Sequence, residues 1–179
     1  MSIPPQKSAL PRRIDARKLV QREQQLEGTV PRDALPRLVS SAESVVGDVA
    51  VTLAFARDLQ RNQIATGHVE LQVELTCQRC LQPVREQIEA DIAWGFVWSE
   101  EQGKNLPRSL DPVIQEGDEL DLYQVLEDEI LLNLPMVAYH EEECVSRDEF
   151  HSGKASEAVE QQENPFKVLE QLKGSSNKS

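Results

Sequence analysis

From Val49 onward the apolar positions fall in alternate places. Val49, Val51, Leu53 and Phe55 form one run, and Val69, Leu71, Val73 and Leu75 form a second with Glu70, Gln72 and Glu74 between them. Such alternation sends successive side chains to opposite faces, so both runs predict half-buried strands. Val84, Ile88, Ala90, Ile92, Trp94, Phe96 and Trp98 keep one parity, interrupted only by Glu86, and predict one long strand. Residues 68–77 should therefore pair antiparallel with 81–98, which puts "TCQRCLQPV" at the hairpin tip.

Helical signals flank this region. Asp15 can cap a short helix whose strong helix formers run to about Gln25, with Gly28 as its breaker, and "PRDALPRLV" offers a second short piece limited by Pro36. Residues 99–111 read as a loop and "PVIQEGDE" as a short edge strand and turn. In "DLYQVLEDEILLNLP", Asp121 stands three before Gln124 in a capping pattern. Leu122, Val125, Leu126 and Ile130 then follow at helical spacing until Pro135. That helix should cover the sheet. The fold class expected is α+β: an antiparallel sheet with a long central hairpin, one main covering helix and short N-terminal helices.

Composition divides the chain. Residues 1–144 carry the periodic segments and predict a single α+β domain with a basic N-terminal segment. Residues 145–163 are polar, acidic and poor in apolar side chains, a composition that predicts a disordered connector. Phe166, Val168, Leu169 and Leu172 in the closing stretch make residues 164–173 a candidate amphipathic docking segment within the tail 145–179.

The net charge is −12 and it is polarised: residues 1–40 hold eight Lys/Arg against four Asp/Glu, whereas residues 99–163 hold four against eighteen. The acidic excess argues against extensive contact with phosphate backbone and for basic protein partners. Arg12, Arg13, Arg17 and Lys18 in the basic arm remain candidates for touching RNA, and Glu141, Glu142 and Glu143, with Phe166 and Leu169 in the tail, for contacting a protein partner. The start of the chain has no apolar run of signal-peptide length, and no stretch nears the ~18 apolar residues of a membrane span, so a cytoplasmic protein without membrane attachment is expected. Three cysteines suit a reducing compartment better than a disulfide framework.

The candidate chemistry lies in Cys77-x2-Cys80 and His140-x3-Cys144, two close pairs that together supply the sulfur and imidazole ligands of a tetrahedral zinc site. Between the pairs lie 59 residues (140 − 80 − 1), so the site exists only if the fold returns residue 140 to the hairpin tip. Cysteines serving as small semi-buried hydrophobes with His140 at the surface explain the same residues, and the sequence leaves both readings open. A redox role is the weaker reading, because such a motif needs its first cysteine at a helix N-terminus and here Pro83 and a strand follow. Trp94, Phe96 and Trp98 could stack bases, yet they share the parity of the core positions and lack neighbouring cations. Glu127, Asp128 and Glu129 read as a solvated helix face, since consecutive acids on a helix point apart and no phosphate-binding glycine loop or Ser/His/Asp set accompanies them.

Taken together and in order, "LTCQRCLQPV", "DLYQVLEDEILLNLPMVAYHEEEC" and "NPFKVLEQLK", with the earlier "EGTVPRDALPRLV", closely resemble the bacterial YceD family, the large ribosomal RNA subunit accumulation proteins. The resemblance implies a cytoplasmic, non-enzymatic ribosome biogenesis factor needed for synthesis, processing or accumulation of 23S rRNA. Ribosomal proteins, large-subunit precursor particles or rRNA itself would be its partners. Many relatives carry further cysteines after the proline-ended helix; this chain has His140 where they often have cysteine, and histidine also ligates zinc.

Overall fold

The structure, a computed structural model, describes residues 8–145 of the 179-residue chain. All of them but Val145 belong to the first of two units into which the chain divides, Met1–Cys144 and Val145–Ser179. The expected connector beyond Val145 and the docking segment with Phe166 and Leu169 lie outside the described residues.

The frame is a five-stranded sheet in the order β2-β3-β4-β5-β6. The two apolar runs and the long third one become β3 (Ser44–Arg57), β4 (Gln63–Thr76) and β5 (Pro83–Val97). Pairing of β4 with β5 is antiparallel from Gln63↔Phe96 to Thr76↔Pro83, as the alternation requires. One face carries the inward set, among them Val69, Val73, Ile92 and Trp94, each at most 2% exposed. Between β3 and β4 the register shifts between Val46 and Ala50, where Gly47 takes a φ of +76° that a side chain would resist.

Two segments differ from expectation. The first helix, α1 (Ala16–Gln21), is capped by Asp15 as read, but it stops well before Gln25. Gln25–Val30 instead form β2, pairing antiparallel with β3, because Leu26, Gly28 and Val30 turn their sides inward where burial outweighs helix propensity. Gly28 is there for space: a Cβ would lie 2.3 Å from the Ser8 carbonyl oxygen, which accepts the Thr29 N–H beside it. The second difference is β6 (Asp111–Ile114), an edge strand as expected but parallel to β5, reached through a loop that contains the short helix α3 (Glu100–Gly103). The sheet is therefore mostly, not wholly, antiparallel.

The helix α2 (Pro36–Ser41) starts on Pro36 at its first turn, the position where a missing N–H costs nothing. The main helix α4 (Leu122–Asn133) is capped by Asp121, which accepts the Gln124 N–H, and buries Leu122, Leu126 and Ile130 completely. Each such burial is worth about 2 kcal/mol, enough to hold α4 across β5. A two-stranded ribbon of β1 (Arg13–Ile14) and β7 (Leu120–Asp121) ties the N-terminal segment to the start of α4.

Candidate metal centre at the hairpin tip

Between β4 and β5 the chain turns through Cys77–Gln82, closed by the Cys77 N–H donating to the Gln82 carbonyl and the Leu81 N–H to the Cys77 carbonyl, both at 2.9 Å. Pro135 ends the helical region after α4, and the chain runs back to this turn. Ala138, 4% exposed, forms a parallel bridge with Cys77, and its carbonyl accepts the Gln78 N–H at 2.9 Å. That bridge is what the 59 intervening residues left open in the sequence. It delivers His140 and Cys144 to the two tip cysteines.

The ligand atoms of Cys77, Cys80, His140 and Cys144 all lie within 4.8 Å of one another. Cys77 Sγ is 3.7 Å from Cys144 Sγ, and Cys80 Sγ is 3.4 Å from His140 Nδ1. A tetrahedral ion with metal–sulfur bonds of about 2.3 Å and a metal–nitrogen bond of about 2.0 Å demands S–S edges near 3.8 Å and S–N edges near 3.5 Å. Both distances agree with that figure. The group could hold a metal ion.

The same segment carries the kinship. Residues 65–173 match the family described as Large ribosomal RNA subunit accumulation protein YceD. A protein of Haemophilus influenzae with that name is 36% identical over 171 residues, covering 94% of this chain and 98% of its own length. The chain belongs to the YceD family. No solved structure matches it. All four cluster residues fall inside the stretch that matches the YceD family, whereas the basic arm with Arg12, Arg13, Arg17 and Lys18 precedes it.

Around the cluster, neighbouring groups set the protonation. His140 Nε2 lies 3.1 Å from the Pro83 carbonyl oxygen, which can only accept, so Nε2 donates there and Nδ1 is the ring atom turned to the Cys80 sulfur, 3.4 Å away. Burial pushes the Cys77 thiol up, but the backbone N–H groups of Cys80, Arg79 and His140, with the Cys80 side chain, outweigh it and bring the thiol down to about 5. Cys144 moves the other way, raised by burial and by the Cys80 and Cys77 sulfurs despite nearby Arg79.

Sequence reasoning overlooked Arg79, which stands between the cysteines. Its guanidinium donates to the His140 and Glu142 carbonyls, and its Cζ lies 5.4 Å from the Tyr139 ring centroid, so it clips the returning strand to the tip. A cation inside a ligand pair was the available signal. Glu141, Glu142 and Glu143 are exposed beside the cluster and line, with Cys80 and His140, an open groove of about 670 Å³.

Elsewhere the candidates separate. Arg12 pairs with Asp121 at 3.0 Å, Arg13 with Glu119 at 3.7 Å and Lys18 with Asp15 at 3.0 Å. The Arg17 guanidinium lies 4.4 Å from the Trp98 ring centroid. Trp94 and Phe96 are buried as core residues, while Trp98 is half-buried under Arg17. Glu127 corrects the solvated reading of the acidic helix face: it is 4% exposed and bonded to Arg37 and Leu38.

Among the described residues, no helix is long and apolar enough to cross a membrane.

Proposed function

We propose that this protein is a cytoplasmic, non-enzymatic binding factor required for accumulation of the large-subunit rRNA, and that the hairpin tip is its working end. Membership of a family named for large ribosomal RNA subunit accumulation carries the reading. The convergence of four ligands on one exposed turn supports the choice of site.

Zinc is the ion this donor set favours, because three thiols and one imidazole are soft-to-borderline ligands in tetrahedral array. Bound there, it would hold the sulfurs as thiolates and lock the returning strand to the tip. Cys77, Cys80, Cys144 and His140 Nδ1 would hold it, with Pro83 fixing the imidazole and Arg79 the backbone. Glu141, Glu142 and Glu143 then present a fixed negative edge suited to a basic protein of the large subunit.

Direct contact with precursor rRNA by Arg12, Arg13, Arg17 and Lys18 is the second reading. Side-chain exposures of 63% for Arg12, 74% for Arg13 and 71% for Lys18 favour it, since surface ion pairs exchange readily for phosphate. The internal pairing of each basic residue weakens it.

Sucrose-gradient profiles and the 23S to 16S rRNA ratio in a deletion strain test the function. A selective loss of large subunits is expected; equal loss of both subunits would contradict it. Pull-down with and without ribonuclease separates the partners: a basic protein retained after ribonuclease supports the first reading, and RNA alone supports the second.

A further inference from the structure

On β5, eleven residues along from Pro83 at the hairpin tip (94 − 83), Trp94 forms part of a second groove, of about 560 Å³, between β6 and α4. Its floor is apolar: Trp94, Val113, Leu120 and Val125. Carboxylates surround that floor. Asp121, Glu119 and Asp128 are answered by Arg12, Arg13 and Arg37, whereas Asp111, Glu116 and Glu129 have no cation partner among the described residues. Glu129 is half-buried and held at 3.0 Å by the indole N–H of fully buried Trp94. A carboxylate drawn out of water with only neutral donors gains most when a cation arrives.

Two further features choose the ligand. Leu132, 83% exposed, and Ile114, 38% exposed, line the groove beside the acids, and β6 is the open edge of the sheet. Among the described residues, the groove's carboxylates do not converge into a group able to hold a metal ion. A phosphate backbone or an anionic membrane would meet like charge here. A Lys or Arg side chain meets both halves of the surface, its alkyl stem on Leu132 and Val125 and its head at Glu129.

We propose that this groove docks a basic, amphipathic segment of a partner protein, with cationic side chains directed to Asp111, Glu116 and Glu129 and apolar ones laid on Leu132 and Ile114. It is a site distinct from the hairpin tip, and it rests on the function proposed above only for the choice of peptides.

The full-length protein carries two tryptophans, so its indole N–H resonances report the groove directly, Trp98→Phe identifying the Trp94 signal. Basic peptides taken from large-subunit ribosomal proteins are titrated in, with polylysine and an rRNA fragment alongside. The Trp94 signal should move on peptide binding. Asp111→Asn, Glu116→Gln and Glu129→Gln together should weaken binding roughly tenfold or more, since they remove the uncompensated charge while the amide oxygen introduced on α4 still accepts from Trp94. Leu132→Ser should weaken the amphipathic peptides by a larger factor than polylysine, which brings only its alkyl stems to that side chain. An unmoved Trp94 signal at saturation, wild-type affinity in the triple groove variant, or preference for the rRNA fragment would overturn the groove. Binding lost only on Glu141→Lys, Glu142→Lys and Glu143→Lys would sink the groove and leave the hairpin reading standing. Groove binding together with normal 23S rRNA in the deletion strain would do the reverse.

Discussion

The carboxylate of Glu127 on α4 closes the N-terminus of α2: it accepts the backbone N–H of Arg37 at 2.7 Å and of Leu38 at 3.1 Å, and the Arg37 Nε at 2.8 Å. Helix α2 has no side-chain cap of its own, since Leu35 occupies the capping position. An acid distant in sequence therefore supplies what Ser or Asp supplies locally. Glu127→Ala should lower the unfolding free energy by on the order of 2 kcal/mol, because it strands the buried Leu38 N–H and the part-buried donors of Arg37. Glu127→Gln, which keeps one acceptor, should cost clearly less. Urea unfolding of both variants checks the order.

Glu74 links three strands, accepting from the Ser44 hydroxyl at 2.7 Å and from the Arg85 Nε at 3.0 Å. The Ser44 bond first and Arg85 second lower its pKa below the ordinary 4.5. A depressed folded-state value means that the stabilisation is complete above 4.5 and is lost as pH falls through the lowered value. The stability difference between wild type and Glu74→Gln should stay constant from neutral pH to about pH 5 and shrink below it. A difference that grows in acid would contradict the linkage.

Chelation should act locally. Residues 138–144 are tied to the tip by the Ala138 bridge, Arg79 and the ligand cluster, while the sheet has its own core of Val69, Val73, Ile92 and Trp94. Amide exchange after metal removal should therefore rise at the tip and at 138–144, with the centres of β4 and β5 still protected. Unchanged exchange at the tip would show that the ion contributes nothing to the closure.

The proposed role of the acidic edge at the tip is in the encounter with a basic partner. Glu141→Lys, Glu142→Lys and Glu143→Lys together should slow association with a basic large-subunit protein by about tenfold at low salt and flatten its salt dependence, leaving the melting temperature unchanged. Stopped-flow association rates would show it, and an unaltered rate would remove these residues from the interface.

How much of this could be read in the sequence follows from the range of the interactions. Period-two alternation placed β5 and the later part of β4 and their antiparallel pairing, because each apolar position answers to one buried face, but it missed the start of β4 at Gln63. Asp15 and Asp121 announced their helices by local capping. Gln25–Val30 went unread as a strand, since Gly28 looks locally like a helix breaker and the segment becomes β2 only through pairing with β3. The ligand types were visible in Cys77, Cys80, His140 and Cys144, but their convergence depends on the contact between Ala138 and Cys77, which no local pattern encodes. Glu127 was hidden for the same reason: its partners are the donors of Arg37 and Leu38, some 90 positions away.

The most direct test is the zinc content of the protein purified without chelator, measured by elemental analysis beside Cys80→Ser and His140→Ala. The account predicts close to one zinc per wild-type chain, a clear loss in both variants, and retention in His140→Cys, which keeps a four-ligand set. Wild-type protein free of zinc, or variants that keep a full equivalent, would contradict the claim that these residues form a metal centre.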